Sequence, residues 1–369
     1  MSQTCNKMTP TQKNFCFLIH SLSPGGMERV IAELLQYFSS FPKAKVHLVL
    51  FGRKPELFYN VPANVIIHKP SFEFDNRFRV WYTIRTFYFL RKKIQSLKPD
   101  AIISFGEYWN NFVLLALFGL KFPVYISDRS SPQKNIGRFH SFLRKWLYPK
   151  AAGLIAQTHK AAEIAAKEKR NKNIRVIGNP VREISIDPMG KKENIVLTVG
   201  RLVKTKNLDR LIRIFADIQM PDWKLLIVGG DAQRQQQKEI LTRLVKDLNA
   251  ENRIEFTGYQ RDIDAYYRRS KIFAFTSSSE GFPNVVAEAL SAGLPVVSYD
   301  CTAGPSEMIE DGENGFLIPV FDDALFTEKL KFLMENAEIT DAMAITARNS
   351  MEKFSLEIIG KQYYEFMVK

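Results

Sequence analysis

Few cysteines and histidines occur in this sequence. Its 369 residues include five histidines and three cysteines, Cys5, Cys16 and Cys301. So few thiols, spaced so far apart, exclude a disulfide framework and a cysteine-rich zinc site. Their scarcity favours the reducing environment of the cytoplasm.

Long apolar runs are also missing. The longest, residues 112–120, has about half the length that a membrane-spanning helix needs. The run at residues 15–19 is too short for the apolar core of a signal peptide, and Pro24-Gly25-Gly26 follows it. We therefore expect any contact with a membrane to be peripheral.

Acidic residues are scarce in the first half of the chain. Residues 1–180 hold 28 Lys and Arg against 10 Asp and Glu, a net charge of +18, whereas the remainder carries −5. Such an excess suggests an anionic partner, which can be nucleic acid, a membrane surface or a phosphorylated substrate. No base-reading module or stacking platform is visible, so we expect no nucleic-acid partner.

The composition is that of a folded protein, because 46% of the residues are hydrophobic and 25% are charged. At roughly 150 residues per domain, the length predicts two domains. The structural pattern breaks near residues 177–180. We therefore predict one domain over residues 1–180, a linker over 181–193, a second domain over 194–350, and a C-terminal helix over 351–369 that packs back towards the first domain.

Short apolar runs alternate with helical periodicity in both halves, which is typical of parallel α/β sheets. We predict two doubly wound, Rossmann-like domains that face each other across a cleft, with ligands at the C-terminal edges of the strands. The predicted strands are residues 15–20, 46–51, 65–68, 101–105, 124–127, 153–156 and 174–177 in the first half, and 194–199, 223–228, 254–257, 272–275, 295–299 and 315–319 in the second.

The strongest motif spans residues 277–295 and predicts a buried strand end, a turn and a short helix that begins near Pro283. The first amides of such a helix lack internal acceptors and can hold an anion or sugar oxygens. Glu280 lies in the turn, and Glu288 lies one helical turn after Asn284, so the two carboxylates can bracket a ligand and accept bonds from vicinal hydroxyls. The alternative is a turn residue and a solvated helix residue, which the spacing alone favours.

A second motif, residues 200–207, follows the first strand of the second half. Arg201 offers a planar fork of donors and Lys206 a mobile charge, and together they can neutralise a diphosphate leaving group. The alternative is a solvated basic loop. A third motif is Gly25-Gly26, whose glycines can let the backbone approach a phosphate closely. The alternative is that this pair only forms a turn. The motif lacks the three-glycine spacing of a nicotinamide site.

Six motifs follow one another along the chain. They are Gly25-Gly26-Met27-Glu28, Gly200-Arg201-Leu202 with Lys206-Asn207, Phe256-Thr257-Gly258, Glu280 with Glu288, Gly304-Pro305-Ser306-Glu307 and residues 311–315. In this order they resemble the motifs of family-4 retaining glycosyltransferases of the GT-B fold, over nearly the whole chain. Within that family the chain resembles bacterial enzymes that add N-acetylgalactosamine, galactose or glucose to lipid-linked or surface glycans.

The resemblance implies retaining transfer from a UDP-sugar, an acceptor in the first domain, a nucleotide sugar in the second, and no required metal or other cofactor. Metal independence is possible in principle, because cations of the chain can replace a metal. The implied catalytic residues are Arg201 and Lys206 at the diphosphate and Glu280 at the donor sugar. The implied donor-binding residues are Glu288 at the ribose, Gly281, Phe282, Pro283 and Asn284 around the sugar and phosphate, Gly258 and Tyr259 near the base, and Gly25 and Gly26 near the diphosphate and acceptor.

One segment departs from the family pattern. Many relatives have a histidine after the fifth strand of the first domain, whereas this chain has Asp128 and Arg129. Arg129 cannot shuttle a proton, so in that place it would bind the acceptor or the donor phosphate. Asp128 is either a polar contact there or a helix-entry residue. For His20 and His140 we expect structural roles.

Residues 77–93 interleave aromatic and cationic side chains on a helix-compatible segment. Such a helix can lie in a membrane interface, or it can pack on the sheet with solvated cations. The charge of the first half favours an anionic membrane, so we expect a peripheral enzyme at the inner face of the bacterial plasma membrane that acts on a polyprenyl-diphosphate-linked acceptor. The alternatives are a two-sheet nucleotide-sugar epimerase and a basic nucleic-acid-binding protein.

Overall fold

The structure is a computed structural model that describes residues 12–53, 57–185, 190, 192–231 and 236–368. Cys5 and parts of the predicted linker 181–193 lie outside the described residues. The chain divides into two compact units. The first unit comprises Met1–Gln157, Ala162–Pro180 and Leu356–Lys369, and the second comprises Thr158–Ala161 and Val181–Ser355.

The first unit contains a parallel sheet in the order β3-β2-β1-β4-β5-β6-β7. Its inner strands are continuous apolar runs because both faces are covered; all five residues of β4, for example, are buried. The strands are β1 (Lys13–Ile19), β2 (Ala44–Leu50), β3 (Ile66–His68), β4 (Ala101–Phe105), β5 (Val124–Ser127), β6 (Gly153–Ala156) and β7 (Ile174–Val176).

In the described part of this unit, six α-helices accompany the sheet. They are α1 (Gly26–Ser39), α2 (Arg79–Leu97), α3 (Glu107–Ala116), α4 (Arg138–Leu147), α5 (His159–Lys167), whose first turn is grouped with the second unit, and the C-terminal α12 (Leu356–Val368). Helix α12 packs closely on α1, since a Cβ on Gly360 would lie 2.4 Å from the ring of Tyr37. No helix among the described residues is both long and apolar enough to cross a bilayer.

The second unit contains a parallel sheet in the order β10-β9-β8-β11-β12-β13. Its strands are β8 (Ile195–Val199), β9 (Lys224–Val228), β10 (Ile254–Gly258), β11 (Ile272–Phe275), β12 (Val296–Tyr299) and β13 (Gly315–Ile318). Its helices are α6 (Leu208–Asp217), α7 (Gln237–Asp247), α8 (Asp264–Arg269), α9 (Asn284–Ser291), α10 (Asp323–Glu335) and α11 (Ala337–Ser350).

The prediction of two doubly wound parallel sheets is confirmed, and every predicted strand is present with ends that differ by at most two residues. Because β8 and β11 are adjacent and parallel, the loops that follow them leave the sheet at the same edge. These are the loops that carry the second and the strongest sequence motifs.

Candidate functional site

Lys206 and Glu280 form an ion pair at this edge. The ammonium nitrogen Nζ of Lys206 lies 2.7 Å from Oε1 of Glu280, and the hydroxyl of Ser277 lies 2.7 Å from the same oxygen. The Lys206 ammonium also lies 4.6 Å from the centre of the Phe275 ring. Lys206 is therefore held in place, which contradicts the alternative of a solvated basic loop for this residue.

Backbone and side-chain bonds pin the two loops together. Asn207 adopts a left-handed conformation (φ 48°), and its side-chain amide donates to the carbonyl of Thr276 at 2.9 Å. The Thr276 hydroxyl donates to the carbonyl of Lys206 at 2.8 Å, and the Ser278 amide donates to that of Thr205 at 2.9 Å. The bonds fix the backbone on both sides of the ion pair, so its geometry does not depend on the side chains alone.

Glu288 lies in α9, one turn after Asn284, as predicted. Its side chain is buried, with the residue 6% exposed, and Oε2 accepts a hydrogen bond from the Tyr267 hydroxyl at 3.0 Å. The alternative of a solvated helix residue is therefore wrong. A buried glutamate is costly unless it is bonded, and the Tyr267 hydroxyl provides such a bond. Ribose binding by Glu288 stays a prediction.

The N-terminus of α9 differs from the sequence-based expectation. The amide of Asn284 donates to the Phe282 carbonyl at 3.0 Å, and that of Val286 donates to the Pro283 carbonyl at 2.9 Å. The prediction that the first amides lack internal acceptors is thus wrong for these two, because the Gly-Phe-Pro turn folds its carbonyls back onto the helix.

The turn before α9 is packed against Phe354 and Gly304. Phe282 is buried and meets the ring of Phe354 edge-on, while Gly281 is half-buried. Gly304 lies so close to this turn that a Cβ on it would be 2.9 Å from Cδ of Pro283. The backbone around Gly281 is therefore supported where the resemblance places the donor.

Glycines lie at the ends of β8, β9 and β10. Gly200 and Gly258 follow or end two of these strands, as the motifs predict, and Gly229 follows the third. A Cβ on Gly229 would lie 1.9 Å from the Gly200 carbonyl oxygen, so the close approach requires glycine. Tyr259, which follows Gly258, is exposed. The sequence interpretation missed Gly229, although Gly229-Gly230 directly follows a predicted strand.

Arg201 is not brought into the ion pair. Its side chain is exposed, and it forms no hydrogen bond or ion pair with any residue that the structure describes. It lines a small pocket at the end of β8 together with Lys206 and Phe275. Within the described ranges, no group of three or more His, Cys, Asp or Glu side chains could hold a metal ion.

The Gly25-Gly26 loop of the first unit is tied to Tyr59. The Gly25 amide donates to the Tyr59 hydroxyl at 3.1 Å, and that hydroxyl donates to the Gly25 carbonyl at 2.9 Å. A Cβ at position 25 would lie 2.2 Å from Oε2 of Glu28. Gly25 thus lets the Glu28 side chain pack against the loop, and Gly26 begins α1. The approach of a phosphate or acceptor to this loop stays a prediction.

Asp128 takes part in a polar network inside the first unit. Its carboxylate accepts hydrogen bonds from the Tyr148 hydroxyl at 2.6 Å and from Arg170 at 3.2 Å. Burial, and then the nearby Glu107, raise the pKa of Asp128 to about 6. Asp128 is therefore not simply a helix-entry residue, because α4 begins ten residues later, at Arg138.

Arg129 is also engaged within its own unit. Its guanidinium lies 4.0 Å from the centre of the Phe105 ring and donates to Asn179 at 2.5 Å and to the Tyr363 hydroxyl at 2.6 Å. Its backbone amide donates to Glu107 at 2.9 Å. These contacts give Arg129 a structural role, and acceptor binding by Asp128 and Arg129 stays a prediction.

Two family models match the chain, one in each half. The model described as Glycosyltransferase Family 4 matches residues 24–183, and the model described as Glycosyl transferases group 1 matches residues 182–350. Neither describes an epimerase or a nucleic-acid-binding protein.

Curated relatives extend over nearly the full length. The amylovoran biosynthesis glycosyltransferase AmsD of Erwinia amylovora is 30% identical, with 93% of this chain and 96% of the relative covered. The N-acetylgalactosamine-N,N'-diacetylbacillosaminyl-diphospho-undecaprenol 4-alpha-N-acetylgalactosaminyltransferase of Campylobacter jejuni is 29% identical, with 95% of this chain and 98% of the relative covered.

Solved structures share the fold. HepE of Anabaena in complex with UDP superposes with a TM-score of 0.79 at 19% identity, covering 95% of this chain and 98% of that chain. The lipopolysaccharide outer core galactosyltransferase WaaB gives a TM-score of 0.77 at 21% identity, covering 96% and 98%.

Proposed function

Because this chain belongs to glycosyltransferase family 4 and has the GT-B fold, we propose that it transfers a hexose or N-acetylhexosamine from a UDP-sugar to a glycan acceptor. We further propose that transfer retains the anomeric configuration, needs no metal ion, and serves bacterial surface-glycan assembly.

The observation that carries the proposal is the ion pair between Lys206 and Glu280. One ammonium proton of Lys206 is directed at Glu280, which leaves two protons for phosphate oxygens. Glu280 has one oxygen occupied by two donors, so its other oxygen can accept sugar hydroxyls. The diphosphate and the donor sugar would thus meet at adjacent, mutually oriented groups.

Two cationic side chains, Lys206 and Arg201, support the proposal that no metal ion is needed. As the sugar leaves, negative charge grows on the UDP phosphate, and a fixed cation stabilises that state more than the ground state. Lys206 supplies one such cation, and exposed Arg201 on the same pocket can supply a second. Glu280 is already neutralised by Lys206, which suits hydrogen bonding to hydroxyls better than nucleophilic attack.

Buried Glu288 is proposed to bind the ribose. A carboxylate accepts two parallel bonds from vicinal hydroxyls, and the Tyr267 bond fixes its orientation. The glycines Gly200, Gly229 and Gly258 at the strand ends, with exposed Tyr259 after Gly258, are proposed to lie at the base.

The acceptor is proposed to be a polyprenyl-diphosphate-linked glycan at the cytoplasmic face of the membrane. The Campylobacter jejuni relative is named for an acceptor linked to diphospho-undecaprenol. The surface of the first unit supports the same class, since α2 buries only Thr86, Leu90 and Ile94 and exposes large apolar residues. The large apolar residues that are exposed on α2 or just before it are Phe78, Val80, Trp81, Ile84 and Tyr88.

Helix α4 adds a second exposed stripe that the sequence interpretation missed. Phe139, Phe142 and Trp146 are all exposed and spaced by three and four residues, so they share one helix face. Between residues 76 and 150 there are 14 Lys and Arg and three Asp and Glu. All three acids, Asp100, Glu107 and Asp128, accept hydrogen bonds inside the unit. Aromatic and cationic groups together fit an anionic lipid surface.

A reaction with defined substrates tests the proposed function. The purified protein is incubated with a panel of UDP-hexoses and UDP-N-acetylhexosamines and a synthetic polyprenyl-diphosphate-linked oligosaccharide. We expect one donor to yield a longer glycolipid with an α-linkage, measured by mass spectrometry and NMR, and the yield to persist in EDTA. An inverted linkage, or activity that EDTA abolishes and manganese restores, would contradict the mechanism. Conversion of the UDP-sugar without an acceptor would indicate an epimerase.

A further inference from the structure

The two oxygens of Glu280 have unequal surroundings. Oε1 accepts from the Lys206 ammonium and from the Ser277 hydroxyl, each at 2.7 Å. For Oε2, by contrast, no hydrogen bond to any residue in the described part of the chain is present. The carboxylate therefore has one saturated oxygen and one that is available to a ligand.

The hydroxyl proton of Ser277 is directed at Glu280. A second acceptor, the carbonyl of Thr205, lies 3.2 Å from the Ser277 oxygen, but it already receives the Ser278 amide at 2.9 Å. The Glu280 oxygen is closer and charged, and hydrogen bonds to ionised acceptors are the stronger ones. Ser277 itself is completely buried, so water does not compete for this proton.

Lys206 cannot hold Glu280 alone. Its ammonium has three protons and, in the proposed function, one of them stays on Glu280 while the others donate to the diphosphate when the donor binds. A short, buried serine is not shared in this way, because its hydroxyl is fixed by the loop at the end of β11. The serine therefore keeps Oε1 in place while the lysine is shared between Glu280 and phosphate.

We propose that Ser277 is a positioning residue that orients Glu280 so that Oε2 faces the hydroxyls of the donor sugar. This inference rests on the proposed function and adds a sugar-specific contribution to it. The inference distinguishes the binding of the two parts of the donor. Loss of the Ser277 hydroxyl should weaken binding of the sugar and leave binding of the UDP moiety unchanged.

The test compares Ser277→Ala with Ser278→Ala. Ser278 is the matched control, since it is half-buried and, among the described residues, its side chain makes a single 3.3 Å bond, to the Thr205 carbonyl. Calorimetry measures the Kd of each variant for UDP and for the UDP-sugar that the wild type uses. For Ser277→Ala we expect the UDP-sugar Kd to rise about tenfold, the value of one hydrogen bond to a charged group, and the UDP Kd to stay unchanged. Ser278→Ala should match the wild type for both.

A double variant shows whether Ser277 acts through Glu280. In a Glu280→Gln background, Ser277→Ala should cause little further loss of UDP-sugar affinity, because the group that it positions has already been changed. Ser277→Thr, which retains a hydroxyl, should recover part of the affinity. Thermal unfolding of each variant shows whether the fold is intact.

Distinct outcomes separate the two levels of the proposal. If the wild type binds no nucleotide sugar, the proposed function and this inference both fail. If it binds one and Ser277→Ala weakens UDP and UDP-sugar equally, or weakens neither, only the positioning role is overturned. The positioning role would likewise be overturned if Ser277→Ala lowered UDP-sugar affinity as much in the Glu280→Gln background as in the wild type.

Discussion

The Tyr267 hydroxyl donates to Oε2 of Glu288 at 3.0 Å, and both side chains are buried. The bond joins α8 to α9 and orients the carboxylate that is proposed to bind the ribose. The bond therefore contributes to stability and to nucleotide binding at once, and a single atom can be removed to measure both.

Replacing Tyr267 by Phe should remove this donor from a buried carboxylate. We expect the free energy of unfolding to fall by about 2 kcal/mol, and the Kd for UDP to rise because Glu288 is less well oriented. Urea denaturation and calorimetry measure the two effects. Tyr266→Phe is the control, because the hydroxyl of that half-buried tyrosine makes no hydrogen bond within the described residues. Equal effects of both substitutions would contradict the assigned role of Tyr267.

Replacing Lys206 by Met should lower turnover by about a hundredfold, because a cation that stabilises the departing diphosphate is lost. The neighbouring Lys204 is a suitable control, since it lies in the same 3₁₀ turn, is exposed, and makes no ion pair within the described ranges. Steady-state kinetics with the UDP-sugar compare Lys206→Met and Lys204→Met. Similar rates for Lys206→Met and the wild type would remove Lys206 from the proposed mechanism.

The fold could be predicted because its strands are short and apolar on both faces. β4 and β11, for example, are buried at every position, and helical periodicity separates such runs along the whole chain. A buried parallel strand leaves this pattern in the sequence whatever its neighbours are.

The partners within the site could not be predicted in the same way. Lys206 and Glu280 are 74 residues apart, and their contact depends on the pairing of β8 with β11, which no local pattern reveals. Three consecutive serines precede Glu280, and only the fold distinguishes buried Ser277 from the other two. The requirement for Gly229 likewise depends on the fold, because the backbone of Gly200 passes beside it and its φ is 147°.

Exposed aromatic residues of α2 and α4 should contribute to membrane binding. We expect Trp81→Ser and Phe142→Ser each to weaken binding to phosphatidylglycerol vesicles several-fold, since each removes a side chain at least 60% exposed in the wild type. Ile345→Ser is the control, because Ile345 is similarly exposed but lies in the second unit. Vesicle co-sedimentation measures binding, which should weaken with added salt and with neutral lipid. Equal binding of all three variants and the wild type would contradict this surface assignment.

The His47–His68 pair should make stability depend on pH. Nδ1 of His47 lies 3.0 Å from Nε2 of His68, so one proton is shared and the pair is favoured when it is uncharged. Burial, followed by His68, Lys45 and Lys93, lowers the pKa of His47 to about 4, and burial also lowers that of His68.

An unfolded histidine has a pKa of about 6.5. The unfolded state therefore binds more protons below that value, and the stabilisation present above about pH 6.5 should be lost as the pH falls towards 4. Melting temperatures measured across this range should fall less steeply for His47→Gln than for the wild type, and parallel curves would contradict the prediction.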